Sequence, residues 1–153
     1  MAHIQGEIII SRPVEAVFDF VADEWNEPLY NQSMVRAEKV TDGPIGPGSR
    51  FSAEVTSMGR ATKMMIEFTV YDRPRKLSSL TRITSMDIDG TLTFDAVGDG
   101  TRMKWSWDVK PLGALKFMAP LIWLTGKRQE ERIWTGLKHY LEGQDVQTAA
   151  LKA

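Results

Sequence analysis

The sequence predicts an α+β fold: an antiparallel sheet of about seven strands with one buried face, one or two short helices after the first strand, and a long C-terminal helix to cover that face. Three observations point there. Residues 34–110 break into short runs that alternate apolar and polar side chains, and "GDG" between two of them is a hairpin signal. "PVEAVFDFV", just after the first apolar run, has helical spacing instead. Finally, "APLIWLTGKRQEERIWTGLKHYLEG", residues 119–143, collects its apolar residues on one side of a single long helix.

The elements follow in order. "HIQGEIII" is a first strand, stopped by "SRP", where Pro13 suits a first helical position because its φ is already helical and its missing N–H is not needed. Val14, Val17, Phe18 and Val21 then recur on one helical face. "EWNEPLYNQS" is too short and interrupted for more than a turn or a stub of helix. "MVRAEKV" and "RFSAEVTSM" are strands separated by the turn-rich "TDGPIGPG". "TKMMIEFTVY" places Met64, Ile66, Phe68 and Val70 on one face, with Lys63, Glu67 and Thr69 opposite. After "DRPR" comes the more polar strand "KLSSLTRIT". The hairpin "GTLTFDAV"–"TRMKWSWDV" follows, with Leu92, Phe94, Met103, Trp105, Trp107 and Val109 facing inward and Arg102 and Lys104 outward. Short connections make the sheet antiparallel with one buried face, and only the helices are available to cover it.

The final helix contains an anomaly. Its apolar side holds Ala119, Ile122, Trp123, Gly126, Glu130, Ile133, Trp134, Leu137, Tyr140 and Leu141. Nine of these suit burial. Glu130, near the middle, is a carboxylate that burial without a partner would destabilise or protonate.

Composition excludes several classes of function. Net charge is −1 at pH 7, so there is no basic excess for a nucleic-acid backbone. The chain has no cysteine, which removes disulfides, thiolate chemistry and cysteine metal sites. The N-terminus lacks the features of a signal peptide, and the most apolar window, "FMAPLIWL", is far short of the roughly 20 residues a membrane span needs. A cytoplasmic protein is expected, and the sequon at Asn31 is read as a chance match. No metal site is expected: His3 and His139 are far apart, and His139 lies on the outer helix face. "DIDG" at Asp87 begins like a calcium loop but has Gly98 where the twelfth-position Glu belongs. "GPIGPG" is no phosphate loop, because its prolines remove N–H donors.

Taken in series, "EIIISRPVEAVFDFVAD", "GPIGPGSRF", "VYDRPRKL", "GDGTRMKWSWDVKP" and "RIWTGLKHYLEG" resemble the START-like (SRPBCC) superfamily over residues 3–143. The likeness is to its polyketide cyclase/dehydrase and lipid-transport branch, related to the birch-pollen allergen. It implies a helix-grip fold, in which a curved antiparallel sheet is wrapped around the C-terminal helix and leaves a cavity between them, and a single ligand-binding domain over residues 1–143. Residues 144–153 are expected to form a disordered tail.

Such a cavity accounts for the anomaly. Gly126 makes room and Glu130 offers a polar point in an apolar pocket. The other reading puts Glu130 at the cavity rim, where it reaches solvent or pairs with a strand arginine such as Arg82. Candidate ligand-binding residues are Tyr30, Met64, Phe68, Phe94, Met103, Trp105, Trp107, Trp123, Gly126 and Glu130, with Met86 and Met118 as further adaptable walls. Tyr30 and Asn31 fall where a lid would close one end. The expected function is binding or carrying a small, largely apolar ligand (a lipid, polyketide or aromatic compound) with no cofactor. The alternative is a cyclase/dehydratase-type enzyme with Glu130 as acid or base and Tyr30, Arg82 or Ser79 as second polar group. A third reading is an interaction domain, with Leu121 and Leu124 in a homodimer contact.

Overall fold

In the computed structural model, which describes residues 2–57 and 59–143 in full, β1 (Ala2–Ile10) leads into α1 (Val14–Ala22) and a 3₁₀ segment (Glu24–Leu29). Six strands follow: β2 (Met34–Lys39), β3 (Arg50–Ser57), β4 (Arg60–Asp72), β5 (Lys76–Ile83), β6 (Met86–Val97) and β7 (Gly100–Pro111). A second 3₁₀ segment (Gly113–Met118) then enters α2 (Ala119–Lys152). The tail expected over residues 144–153 lies outside the described residues. All seven strands form one antiparallel sheet in the order β1-β7-β6-β5-β4-β3-β2, so the first strand closes against the last.

Alternation holds along most strands and fails in an informative place. In β4, Ile66 and Phe68 are buried, but the pairing with β5 slips between Phe68 and Val70. That bulge inserts one residue and reverses the faces beyond it. Val70, expected inward, is therefore exposed, and Tyr71 packs on the core in its place.

The core sits at one end of the molecule. Phe18 of α1 meets Tyr71 and Phe94 edge-on, and Phe51 packs against Phe68. The second part of the α2 stripe (Ile133, Trp134, Leu137 and Leu141) closes over them. The first turns of α2 differ: Leu121, Trp123 and Leu124 are exposed.

β1 fixes where α2 lies. Ile4 of β1 reaches the surface of Gly126, where an added Cβ would stand 2.5 Å from Ile4 Cδ1. Farther along, Lys138 Nζ donates to the Ile9 carbonyl at 2.8 Å. Twelve helical residues rise about 18 Å and five strand residues about 16 Å, so helix and strand run side by side in the same direction. Gly136 lets the helix come close to the end of the first 3₁₀ segment: a Cβ there would be 2.6 Å from the Tyr30 carbonyl oxygen. Held along β1 and at Tyr30, α2 leaves a gap over the middle strands.

Candidate functional site

That gap is an open pocket of about 820 Å³. Its walls come from all seven strands, α1, the first 3₁₀ segment and α2. Met64, Ile66 and Ile88 give it apolar sheet surface, while Thr62 and Thr81 add hydroxyls.

The best-defined group in it is Glu130. Trp107 lies in β7 directly opposite Gly90 of β6. A Cβ on Gly90 would be 1.7 Å from Trp107 Cε3, so the indole lies across the space where a side chain would be. This places Trp107 Nε1 to donate to Glu130 Oε2 at 2.7 Å. Trp134, one turn along α2, donates its own Nε1 to the same oxygen at 2.8 Å. Glu130 Oε1 makes no hydrogen bond to any described residue. Burial is the main influence on the acid and pushes its pKa up to about 7, with the charge of Glu27 adding to the rise. The two indole N–H groups work the other way but do not win, because neutral donors replace only part of the lost hydration. Glu130 still keeps some accessible surface, since it lines the pocket while protein crowds its other sides.

The 3₁₀ segment brings further acids. Asp23 caps it by accepting from the Trp25 N–H at 3.2 Å. Glu24 and Glu27 both line the pocket. Burial pushes the Glu24 carboxyl well up, and neighbouring Glu27 raises it further. Glu24 Oε2 is shut off from solvent and has no hydrogen-bond partner among the described residues. Glu27 Oε1 accepts from Asn31 Nδ2 at 3.0 Å, and Asn31 Oδ1 accepts from the Ser33 N–H. Asn31 is thus a buried turn residue. Tyr30 is buried beside Trp134, and desolvation with the charges of Glu27, Glu24 and Glu130 pushes its phenol well up.

Of the residues singled out by sequence, Tyr30, Met64, Trp107, Gly126 and Glu130 line this pocket together, and Met86 joins them. Phe68, Phe94 and Met103 do not: they are fully buried where α1 and neighbouring aromatics fill the sheet. Trp105 is also core, packed 6.0 Å from Trp134. Trp123 is exposed, with the Lys127 ammonium 5.3 Å above its ring. Met118 is exposed too. Arg82, the anticipated partner of Glu130, is exposed on the outward face of β5, and the indoles take that place. Gly126 makes room chiefly for Ile4, although it also borders the pocket.

Glu24, Glu27, Gly90 and Gly136 were missed. Signals existed for two of these roles. "DEWNEPLY" is acid-rich for a segment joined to an apolar helix. Counting outward from the hairpin, where Val97 pairs Gly100, sets Gly90 opposite Trp107.

The sequence matches the family described as polyketide cyclase / dehydrase and lipid transport over residues 1–142. The chain belongs to this family. No curated protein matches the chain. Several solved structures share its fold. A START superfamily protein from Mycobacterium smegmatis superposes with a TM-score of 0.83 at 12% identity, covering 94% of this chain and 99% of that one. TTHA0849 from Thermus thermophilus gives 0.80 at 18% identity, covering 93% and 98%. The Streptomyces aromatase/cyclase Zhui gives 0.79 at 11% identity, covering 92% and 93%. The helix-grip fold expected from the sequence is therefore the fold of this family member. Among the described residues, no helix is long and apolar enough to cross a membrane.

Proposed function

We propose that this protein binds a small amphipathic ligand in the pocket between sheet and α2, with an apolar body against Met64, Ile66 and Ile88 and a polar end at Glu130. One observation carries the reading: an acid is built into the pocket wall by two tryptophan N–H groups on one oxygen, while its other oxygen has no hydrogen-bond partner among the described residues. A structural salt bridge would need a cation there, and a core position would need no acid. The volume falls in the range of small-molecule sites, roughly 300–1,000 Å³. The family description, which names lipid transport, is consistent with it. The test is saturable uptake of the neutral dye Nile red, with native mass spectrometry of the purified protein. A co-purifying apolar compound that the dye displaces is expected; a protein that takes up no dye would overturn the reading.

The second reading is an enzyme of cyclase or dehydratase type in the same pocket. It is favoured by a Glu130 pKa of about 7, which suits proton transfer near neutrality. The aromatase/cyclase named among the structures of this fold agrees with that chemistry. In this reading Glu130 moves a proton through Oε1 while the indoles hold Oε2. Glu130→Gln then lowers turnover by about 10²–10⁴-fold and changes ligand affinity little.

A further inference from the structure

The Glu130 end of the pocket holds more acid than an apolar ligand calls for. Glu24 and Glu27 from the 3₁₀ segment and Glu130 from α2 all line it, and Glu27 lies close enough to raise the pKa of both others. Among the described residues, no donor reaches Glu24 Oε2, which is shut off from solvent, or Glu130 Oε1. Glu27 accepts from the Asn31 amide. Arg128 and Arg132 of α2 also border the pocket, but both are exposed and neither pairs with these acids among the described residues. Rings surround the same place, since Tyr30, Trp107 and Trp134 line it too.

We propose that the ligand's polar head is a cation, an organic ammonium on an apolar body, seated among Glu24, Glu27 and Glu130 with the rings of Tyr30, Trp107 and Trp134 around it. This rests on the pocket-binding reading and adds the sign of the head group. An ammonium carries three donors and no acceptor, which suits a site offering acceptors without donors. A carboxylate head would instead add a further negative charge to an already crowded acidic end, and an alcohol supplies only one donor. Burial, with the charge of Glu27 adding to it, holds the Glu130 pKa at about 7, so part of that acid is protonated at neutral pH and a bound cation drives the proton off. Ammonium binding is therefore accompanied by proton release.

Full-length protein loaded with Nile red is titrated at pH 7.5 with decylamine, decanol and decanoate, each below its aggregation concentration. Decylamine should displace the dye at a concentration at least about tenfold below that needed for decanol, with decanoate the weakest. Calorimetry in two buffers of different ionisation heat should show proton release with decylamine and none with decanol. In Glu24→Gln/Glu130→Gln the amine-to-alcohol ratio should collapse toward one. If dye and decanol bind but decylamine binds no better, the cationic head is overturned while the pocket-binding reading stands. An amine preference unchanged in the double variant overturns it as well, because the cation would then sit elsewhere. Failure of the dye and all three chains to bind removes both readings.

Discussion

Glu130→Gln should stabilise the protein above neutral pH and leave it nearly unchanged in acid. The folded-state pKa is about 7 against an ordinary value of 4.5. The folded chain therefore holds more protons than the unfolded chain between those values, and stability falls as pH rises. The loss begins near pH 4.5 and is complete above about pH 7. A gap of this size corresponds to roughly 3 kcal/mol at most. Water entering from the open pocket reduces it, so about 2 kcal/mol between pH 5 and pH 8 is the working figure.

Glutamine keeps the shape, and its carbonyl oxygen still accepts from Trp107 and Trp134, but it cannot ionise. Urea unfolding of both proteins at pH 5 and pH 8 measures the effect. The stability difference should grow by about 2 kcal/mol in favour of the variant, close to 1 M in midpoint for a domain of this size. A difference that stays constant within about 0.5 kcal/mol would show that Glu130 ionises like a surface acid. The account of its burial would then be wrong.

Four glycine substitutions give further outcomes. Gly90→Ala sets a methyl 1.7 Å from the Trp107 ring, so the indole must leave its seat; about 1–3 kcal/mol of stability should be lost, with a shift in tryptophan emission. Gly136→Ala meets the Tyr30 carbonyl at 2.6 Å and should destabilise by a similar amount in thermal unfolding, although helix propensity alone favours Ala by about 1 kcal/mol. Gly143→Ala, with nothing within 4 Å of its added Cβ, should show that propensity gain undiminished. At Gly126 the new methyl meets only the end of the Ile4 side chain, which can turn aside; Gly126→Ala should stay within about 1 kcal/mol of the parent in the same assay.

The fold was legible because period-2 and period-3.6 patterns are written by burial itself. Every strand and both long helices follow from runs such as Met103–Val109 and Ile133–Leu141. The site was half legible, for a physical reason. Periodicity gives the direction of a side chain and says nothing of what stands opposite it. Trp123 and Leu141 share an angle on α2, yet Leu141 meets the core and Trp123 meets solvent. Phe94 and Trp107 both face inward from one hairpin, yet α1 fills the space before Phe94 and leaves the pocket before Trp107. Val70 was lost to a bulge that alternation does not announce. Glu24 and Glu27 escaped because a short 3₁₀ segment has no period to read.

Gly126 and then an acid at the centre of a buried stripe now have separate causes. Gly126 belongs to packing: it lets α2 settle on Ile4, and that contact helps set the helix at the height that leaves the pocket open. Glu130 does not belong to packing. An apolar residue in its place would avoid the desolvation that raises its pKa, and replacing buried charge with fitting apolar bulk is often neutral or stabilising. Yet three other positions are arranged around it. Gly90 gives up a strand side chain to seat Trp107, and Trp107 and Trp134 both turn their only polar atom to Oε2. Indoles hold that oxygen without neutralising the acid, as a lysine or arginine would have done. Stability alone favours none of these choices. They are what the proposed ligand-binding reading expects, with the group that completes Glu130 coming from outside the chain.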